Sequence, residues 1–326
     1  MIGKISPSGD LAAELRARAK QDPSLRGFAY TVPGLEDLGL ALGDAIASNL
    51  EPGEIPHKIV VLPRQRVLQR AGRGRPWSPF PIWKRTHETI LIHSSQRLLT
   101  AAILDGRRLE LTSTPLKQII TLQLGTILLF SWFEWSWANA GKLETNRVYF
   151  NTVSDRIFRE LQQCLSVMLV QIGGFTYIPK SPGFHHLENL PYKFRNIIPL
   201  RLLLPGEEIR AVIYRPGLWV PNFVFLKREI SPASALVLTE RQILVAEEDL
   251  GGAEGHYGVI ARYTPRSALK RVVLEQQREC MLLRMIFQIQ GVEFEQRQQY
   301  EFSAKPQLDM LLTELGTQIT LGKQPQ

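Results

Sequence analysis

The sequence predicts a mainly β protein of the α+β class, in which a domain of about 110 residues occurs twice and each copy ends in an α-helix. Three observations lead to this prediction: an internal repeat, runs in which apolar and polar residues alternate, and an amphipathic helix after each set of strands. The predicted organisation is an N-terminal helical segment at 1–48, a first domain at 49–172, a Pro- and Gly-rich linker at 173–203, a second domain at 204–317 and a tail at 318–326.

The internal repeat consists of short segments that recur in the same order in both halves. Residues 52–55 (PGEI) precede one apolar run, and residues 205–209 (PGEEI) precede another. Residues 89–101 align without a gap on residues 234–246, and both halves continue with a Thr-Pro pair. The spacing between matched segments changes only as different loop lengths would change it. We therefore interpret the chain as a duplication of one domain.

The first 48 residues are expected to be helical. Asp10 can cap a helix that continues to Lys20, because its short acceptor side chain satisfies free N–H groups at a helix start. Leucine and isoleucine residues from Leu35 to Leu50 then recur at helical spacing. A segment of this kind usually packs on the neighbouring domain.

Each copy is expected to contain about seven short strands and one closing helix. In the first copy the strands are predicted near 57–62, 88–93, 97–104, 108–113, 116–124, 127–137 and 145–151. In the second copy they are predicted near 207–214, 222–228, 234–238, 241–247, 257–263, 267–276, 281–290 and 292–302. The first helix should span 153–171 with Thr152 or Ser154 as its cap, and the second should bury Leu308 to Leu315 with Ser303 as its cap.

One apolar stretch, residues 119–138, is long enough for a membrane-spanning helix, which needs about 20 apolar residues. Its counterpart in the second copy, residues 281–290, alternates strictly between apolar and polar side chains. In the first copy Phe133, Trp135 and Trp137 show the same alternation. The sequence therefore predicts strands here and no transmembrane segment.

Several short antiparallel strands followed by one helix predict a small barrel or sandwich whose open end is covered by that helix. Each copy resembles a pleckstrin-homology-like domain of the bacterial kind, related in shape to GRAM domains. The residues that show this resemblance are the openings at 52–55 and 205–209, the strand pairs around 95–99 and 240–244, the strand at 119–125 leading into 128–130, and the aromatic strand before each helix. The resemblance implies a non-catalytic module that binds acidic lipid head groups, peptides or proteins.

The most distinctive local feature is a basic segment at 64–85 that contains seven cationic residues and no acidic residue. These seven cations compare with a formal net charge of +8 for the whole chain. The candidate ligand-binding residues are Arg64, Arg66, Arg70, Arg73, Arg75, Trp77, Trp83, Lys84 and Arg85. By the resemblance, this segment is the loop between the first two strands of copy one, where related domains contact head groups. Lys58, Arg64 and Arg66 also match the loose K-x(n)-[KR]-x-R pattern of those domains.

Four interpretations of the basic segment remain open. It can hold a peripheral protein at an anionic membrane, where each Lys or Arg contributes about 1 kcal/mol, or it can bind an acidic protein partner. The same arginines and aromatic rings can bind nucleic acid. Alternatively, the arginine stems only cover an apolar surface, and Trp77 and Trp83 help to close the barrel. The corresponding stretch of the second copy, residues 215–221, is short and apolar.

The remaining sequence features favour a non-catalytic protein of a reducing compartment. Cys164 and Cys280 lie in opposite halves, which argues against a disulfide or a cysteine metal site, and the charged N-terminus argues against a signal peptide. We therefore expect a cytoplasmic protein, peripheral at the membrane if the basic segment binds lipid. The pair His185-His186 lacks zinc-site spacing, and the glycines at 251–258 lack a phosphate-loop motif. No cofactor or metal is expected, and a hydrolase with a site between the domains is the less favoured alternative.

Overall fold

The structure is a computed structural model, and it is mainly β. It describes residues 2–5, 10–11, 13–22, 25, 27–69, 82–104, 108–127, 130–174, 187–222, 226–249, 258–277, 280–316 and 319–322. The α-helices are α1 (Ala13–Gln21), α2 (Leu40–Ala47), α3 (Asp155–Ile172), α4 (Tyr192–Ile197) and α5 (Lys305–Leu315). Short 3-10 helices occupy Leu35–Leu38, Leu116–Gln118, Thr152–Ser154, Arg266–Ala268 and Phe302–Ala304, and a π-helix occupies Ile198–Leu202.

The strands fall into two long series. The first series is β1 (Ile2–Ile5), β2 (Tyr30–Val32), β3 (Pro56–Leu62), β4 (Arg66–Gln69), β5 (Ile82–Arg85), β6 (Glu88–Ser94), β7 (Arg97–Leu104), β8 (Arg108–Pro115), β9 (Ile119–Ile127), β10 (Phe130–Asn139) and β11 (Lys142–Asn151). The second series is β12 (Ile209–Arg215), β13 (Leu218–Asn222), β14 (Leu226–Ser231), β15 (Ser234–Thr239), β16 (Gln242–Glu248), β17 (Val259–Pro265), β18 (Leu269–Gln276), β19 (Met281–Ile289), β20 (Val292–Tyr300) and β21 (Ile319–Gly322). The order of elements from β3 to α3 is the same as the order from β12 to α5.

The chain divides into two compact units. Unit 1 comprises residues 1–116, 128–133 and 147–161, and unit 2 comprises residues 117–127, 134–146 and 162–326. The long sheets have the orders β1-β8-β7-β6-β3-β2, β11-β10-β9-β17-β16-β15-β12 and β20-β19-β18-β21. The hairpins β4-β5 and β13-β14 form separate two-stranded sheets. Among the described strands the sheets are open, so of the predicted barrel or sandwich the closed barrel is corrected.

In unit 1 the N-terminal segment packs on one face of the six-stranded sheet. Leu15 of α1 and Leu42 and Ile46 of α2 share a buried cluster with Ile59 and Val61 of β3. The segment is not wholly helical as predicted, because β1 pairs with β8 and β2 pairs with β3. These two short strands form the edges of the sheet, which leaves the helices to cover its face.

In unit 2 the core lies between two sheets and a helix. Buried side chains of β12, β15 and β16 share one cluster with those of β18, β19 and β20. Leu308, Leu311, Leu312 and Leu315 of α5 complete this cluster. The predicted apolar face of this helix is therefore confirmed, and its leucine spacing of three and four places all four side chains on one side.

The apolar stretch at 119–138 forms strands β9 and β10, which confirms the strand prediction. β9 pairs with β17 in antiparallel register, with Leu122 opposite Tyr263 and Gly125 opposite Ile260. Gln123, one of the polar residues in this stretch, accepts a hydrogen bond of 3.0 Å from Arg262 on β17. Within the described part of the chain, no helix is long and apolar enough to cross a membrane.

The helix caps differ from the predicted ones. The start of the first closing helix is capped by Asn151, whose side chain accepts a 3.0 Å hydrogen bond from the Val153 N–H group. Ser154 instead donates to the Ala29 carbonyl. At α5, no side-chain cap is formed, and the Ser303 hydroxyl lies 3.3 Å from a Glu301 carboxylate oxygen. In both places a 3-10 turn precedes the helix, and at α3 the side-chain cap lies at the start of that turn, upstream of the predicted residues.

The linker at 173–203 is more regular than predicted. Helix α4 continues directly into the π-helix, in which the Leu203 N–H group donates to the Ile198 carbonyl at 3.1 Å. This wider turn accommodates Pro199, which has no N–H group to donate. Residues 175–186 of the linker, including His185-His186, lie outside the described residues.

Candidate functional site

The two ends of the basic segment pair as an antiparallel β-hairpin, β4-β5. Arg66 lies opposite Arg85, Leu68 opposite Trp83 and Gln69 opposite Ile82. The sequence predicted a loop without strands up to about Thr86, and this prediction is wrong because the ends of the segment are strands. In the second series of elements, the hairpin β13-β14 also follows the first strand, β12. The short apolar connection that was predicted at 215–221 is therefore also corrected.

The structure places only part of the predicted site. Arg64, Arg66 and Arg85 are exposed at the base of the hairpin. Trp83 and Lys84 lie on β5, and their side chains are outside the described part of the structure. Arg70, Arg73, Arg75 and Trp77 fall within residues 70–81, which also lie outside it.

The base of the hairpin is anchored by backbone hydrogen bonds and presents like charges. Gln65 N–H donates to the Thr86 hydroxyl at 2.8 Å, and Thr86 N–H donates to the Gln65 carbonyl at 2.9 Å. Directly above this closure, Arg66 and Arg85 are cross-strand neighbours. Arg64 Nε lies 3.9 Å from a Glu88 oxygen, and Glu88 also accepts hydrogen bonds from Arg16. The base of the hairpin therefore presents three exposed arginine side chains, Arg64, Arg66 and Arg85.

Lys58, the first residue of the K-x(n)-[KR]-x-R pattern, is not part of this hairpin. It lies near the start of β3, and its ammonium group contacts Glu160 of α3 at 2.9 Å. Four strand steps separate Lys58 from the far end of β3 at Leu62, a distance of about 13 Å at 3.3 Å per residue. The pattern therefore does not correspond to one cluster of cations in space.

A groove of about 480 Å³ lies in unit 1 where Lys58 is found. Its floor is formed by residues 57–59 of β3, one wall by residues 31–33 and the other wall by Arg156, Ile157 and Glu160 of α3. Glu160 accepts hydrogen bonds from Lys58 at 2.9 Å and from Arg156 at 3.0 Å. These two hydrogen bonds, that of Lys58 first, lower the pKa of Glu160 below its ordinary range.

At the floor of the groove, the ring of His57 lies 5.8 Å from the ring of His93. His93 is buried on β6, and burial, together with the neighbouring His57 and Lys58, lowers its pKa to about 4. His93 is therefore neutral at pH 7. It does not add a charge beneath the groove.

A buried carboxylate joins the PGE turn to the β6–β7 turn in unit 1. Glu54 Oε1 lies 2.5 Å from the Ser94 hydroxyl, and Glu54 Oε2 accepts a 2.6 Å hydrogen bond from Arg97 Nη2. Ser94 Oγ accepts the N–H groups of Gln96 and Arg97 at the tip of the turn. Burial would raise the pKa of Glu54, but the hydrogen bonds from Arg97, Ser94 and the Glu51 N–H group outweigh it and lower the pKa.

The same arrangement recurs in unit 2 with one charged partner fewer. Glu207 Oε1 lies 2.5 Å from the Thr239 hydroxyl, and Glu207 Oε2 accepts the Leu204 N–H group at 3.0 Å. Gln242, at the position matched to Arg97, donates its amide to both Glu207 oxygens at 3.1 and 3.0 Å. Burial raises the pKa of Glu207 in spite of these hydrogen bonds.

The PGE segments were recognisable in the sequence as part of the repeat, but the role of their glutamates was not. The available signal was an acidic residue at the same place in both copies, directly before an apolar strand. The groove was also missed, because Lys58 and Glu160 are 102 residues apart and no local pattern links them.

Other chemical groups in the described structure do not assemble into a site. No group of three or more His, Cys, Asp or Glu residues there could hold a metal ion. Cys164 is exposed, Cys280 is half-buried, and neither forms a disulfide. The glycine-rich residues 251–257 lie outside the described ranges. Comparison of the sequence with models of known families and with curated proteins gives no match.

Proposed function

We propose that this chain is a non-catalytic binding protein that contacts an anionic surface through the β4-β5 hairpin. The observation that favours this function is the pairing of Arg66 with Arg85 at the exposed base of a hairpin whose sequence contains no acidic residue. Exposed cations gathered on one hairpin attract an anionic surface, because their electrostatic potentials add. The hairpin is thus suited to bind an anionic surface.

We further propose that the scaffold is a tandem pair of pleckstrin-homology-like domains. Three matched features support a duplication: the order of elements, the buried glutamate clamps at Glu54 and Glu207, and the turns of the β10–β11 and β19–β20 hairpins. In both turns a non-glycine residue and a following glycine have positive φ, 47° and 78° at Ala140-Gly141 and 49° and 81° at Gln290-Gly291. Such values are typical of two-residue hairpin turns.

The preferred partner is an anionic membrane surface on the cytoplasmic side, with an acidic protein surface as the alternative within the same class. Each Lys or Arg near an anionic bilayer contributes about 1 kcal/mol, so three or four of the seven cations suffice for peripheral attachment. Trp77 and Trp83 add to this because tryptophan favours the membrane interface.

The test is sedimentation of the full-length protein with neutral and with anionic vesicles. The first variant is Arg66→Glu with Arg85→Glu, which reverses the charge but keeps two like charges opposite each other. The second is Arg73→Glu with Arg75→Glu. A control variant with the same change in net charge is Lys142→Glu with Arg271→Glu, two exposed residues outside the hairpin.

We expect the wild type and the control to bind only anionic vesicles, and each hairpin variant to bind at least about 30-fold more weakly, from about 2 kcal/mol for two lost cations. Equal weakening in the control would mean that net charge alone is responsible, and the proposal would fail. Absence of vesicle binding, together with oligonucleotide binding whose log affinity falls linearly with log salt, would assign the hairpin to nucleic acid instead.

A further inference from the structure

The groove between β3 and α3 has more hydrogen-bond donors than its own carboxylate uses. An ammonium group has three N–H donors and a guanidinium group has five. Lys58 and Arg156 each give one of these donors to Glu160. Two cations therefore share one anion, and a second carboxylate can bind without displacing a buried group.

The floor of the groove is an open strand edge next to apolar side chains. Strand β2 ends at Val32, opposite Ile59, whereas β3 extends further to Pro56. On that side of β3, residues 56–58 have no neighbouring strand among those described. Of the apolar residues in the lining, Ile157 is half-buried, whereas Val32 and Ile59 are buried in the core. An added extended chain can thus pair with the edge and bury an apolar side chain.

We propose that this groove binds an extended acidic peptide, with a carboxylate against Lys58 and Arg156 and an apolar side chain against Ile157. Charge complementarity selects the acidic partner, because the rim has a surplus of positive charge. The volume of about 480 Å³ is within the range of about 300–1,000 Å³ for sites that enclose small ligands, so the groove holds only a few residues. The proposal is independent of the hairpin, which lies at the other end of β3.

The test measures fluorescence polarisation of a labelled four-residue peptide of alternating glutamate and isoleucine, with a lysine–isoleucine peptide as the charge-reversed probe. The variants are Lys58→Ala, Arg156→Ala and Glu160→Gln in the full-length protein. Lys305→Ala is the matched control, because Lys305 and Asp309 form an exposed (i, i+4) ion pair on α5 as Arg156 and Glu160 do on α3.

We expect the acidic peptide to bind the wild type and the lysine peptide not to bind. Lys58→Ala should weaken binding about tenfold, the effect of losing one charge-assisted hydrogen bond. Arg156→Ala should weaken it by less, because the Arg156 side chain is 84% exposed. Glu160→Gln should strengthen binding, since it removes the competing carboxylate and frees both cations. If Glu160 only stabilised the fold, Glu160→Gln would weaken peptide binding instead.

Three results would overturn the proposal. The first is equal binding of both peptides, and the second is weaker or unchanged binding in Glu160→Gln. The third is loss of peptide binding in Arg73→Glu with Arg75→Glu but not in Lys58→Ala, which would place the peptide on the hairpin. Failure of the vesicle experiment leaves this proposal intact, because the groove variants keep the hairpin unchanged.

Discussion

The two glutamate clamps have nearly the same geometry but should lose different amounts of stability when the carboxyl group is replaced. The perturbation is Glu54→Gln in unit 1 and, separately, Glu207→Gln in unit 2. Glutamine has the shape of glutamate, so the two variants differ mainly in what the lost charge was paired with. Glu54 is paired with Arg97, whereas Glu207 is hydrogen-bonded by the neutral side chains of Thr239 and Gln242.

Glu54→Gln leaves the Arg97 guanidinium without its carboxylate. The Arg97 side chain is only 13% exposed, and its contacts with Glu54 of 2.6 to 3.1 Å cannot all be kept by an amide. Removing one partner of a buried ion pair costs about 3–5 kcal/mol. Because Arg97 also donates to the Asn49 carbonyl at 2.7 Å, the lower end, about 3 kcal/mol, is expected.

Glu207→Gln should cost less than Glu54→Gln, because its side-chain partners Thr239 and Gln242 carry no charge that the substitution would leave unpaired. The amide oxygen can still accept the Leu204 N–H group. The amide nitrogen can donate to Thr239, whose hydroxyl lies 3.0 Å from the Gln242 carbonyl and can donate to it.

The pH dependences of the two clamps have opposite signs. The pKa of Glu54 is lower in the folded state than in the unfolded chain, so its contribution is present above the unfolded pKa and is lost as pH falls through the folded pKa. The pKa of Glu207 is raised in the folded state. Its contribution is fully present below the unfolded pKa and is lost as pH rises through the folded pKa. Glu207→Gln should therefore remove a loss of stability with rising pH in unit 2.

Hydrogen exchange of peptides that cover residues 94–97 and 239–242 measures each turn separately between pH 5 and 9. Glu54→Gln should speed exchange at the first turn more than Glu207→Gln does at the second. Equal destabilisation of the two turns, or a second turn that stays sensitive to rising pH without the carboxyl group, would refute this prediction.

Three further predictions concern other parts of the fold. Ala140→Asn should stabilise the β10–β11 hairpin by roughly 1 kcal/mol, because Ala140 has a positive φ that Asn adopts more readily; a lower urea midpoint would contradict this. His93 should stay neutral down to about pH 4 in an NMR titration of its ring, and a midpoint near 6.5 would show that it is not buried as described. Phe194→Ala should cost about 3–5 kcal/mol in urea unfolding, whereas Tyr192→Ala, at an exposed position of the same helix, should cost little.

Periodicity was sufficient to predict most strands and both closing helices. The strands at 97–104 and 281–290 and the helix at 153–171 were placed almost at their observed bounds. These elements have one buried and one polar face, and this contrast is visible in a single sequence. The stretch at 119–138 could be assigned to strands because its repeat, at 281–290, alternates more clearly.

What the sequence could not predict depends on pairing between distant residues. The β4-β5 hairpin was missed because Arg, Gly and Pro residues in the segment give no alternation, although Leu68 and Trp83 pair across it. The groove depends on Lys58 meeting a helix residue more than 100 positions away. The open sheets were also not predictable from local patterns. Strand β2 pairs with β3 and so occupies the edge of β3 that would have to pair with another strand to close a barrel.

The helices before the two sets of strands indicate where the repeated unit begins. Helix α2 lies shortly before the Glu54 turn, and the α4–π helix lies shortly before the Glu207 turn. Ile59 follows Glu54 by the same number of residues as Val212 follows Glu207, so the two residues lie on corresponding faces of their two sheets. In unit 1, α2 packs on this face. In unit 2, Phe194 of α4 contacts Tyr214, and the centres of the two rings are 5.6 Å apart. The Tyr214 side chain is on the same face as Val212. We infer that the duplicated unit includes its preceding helix, and that both boundaries lie about one helix earlier than the apolar repeat alone indicates.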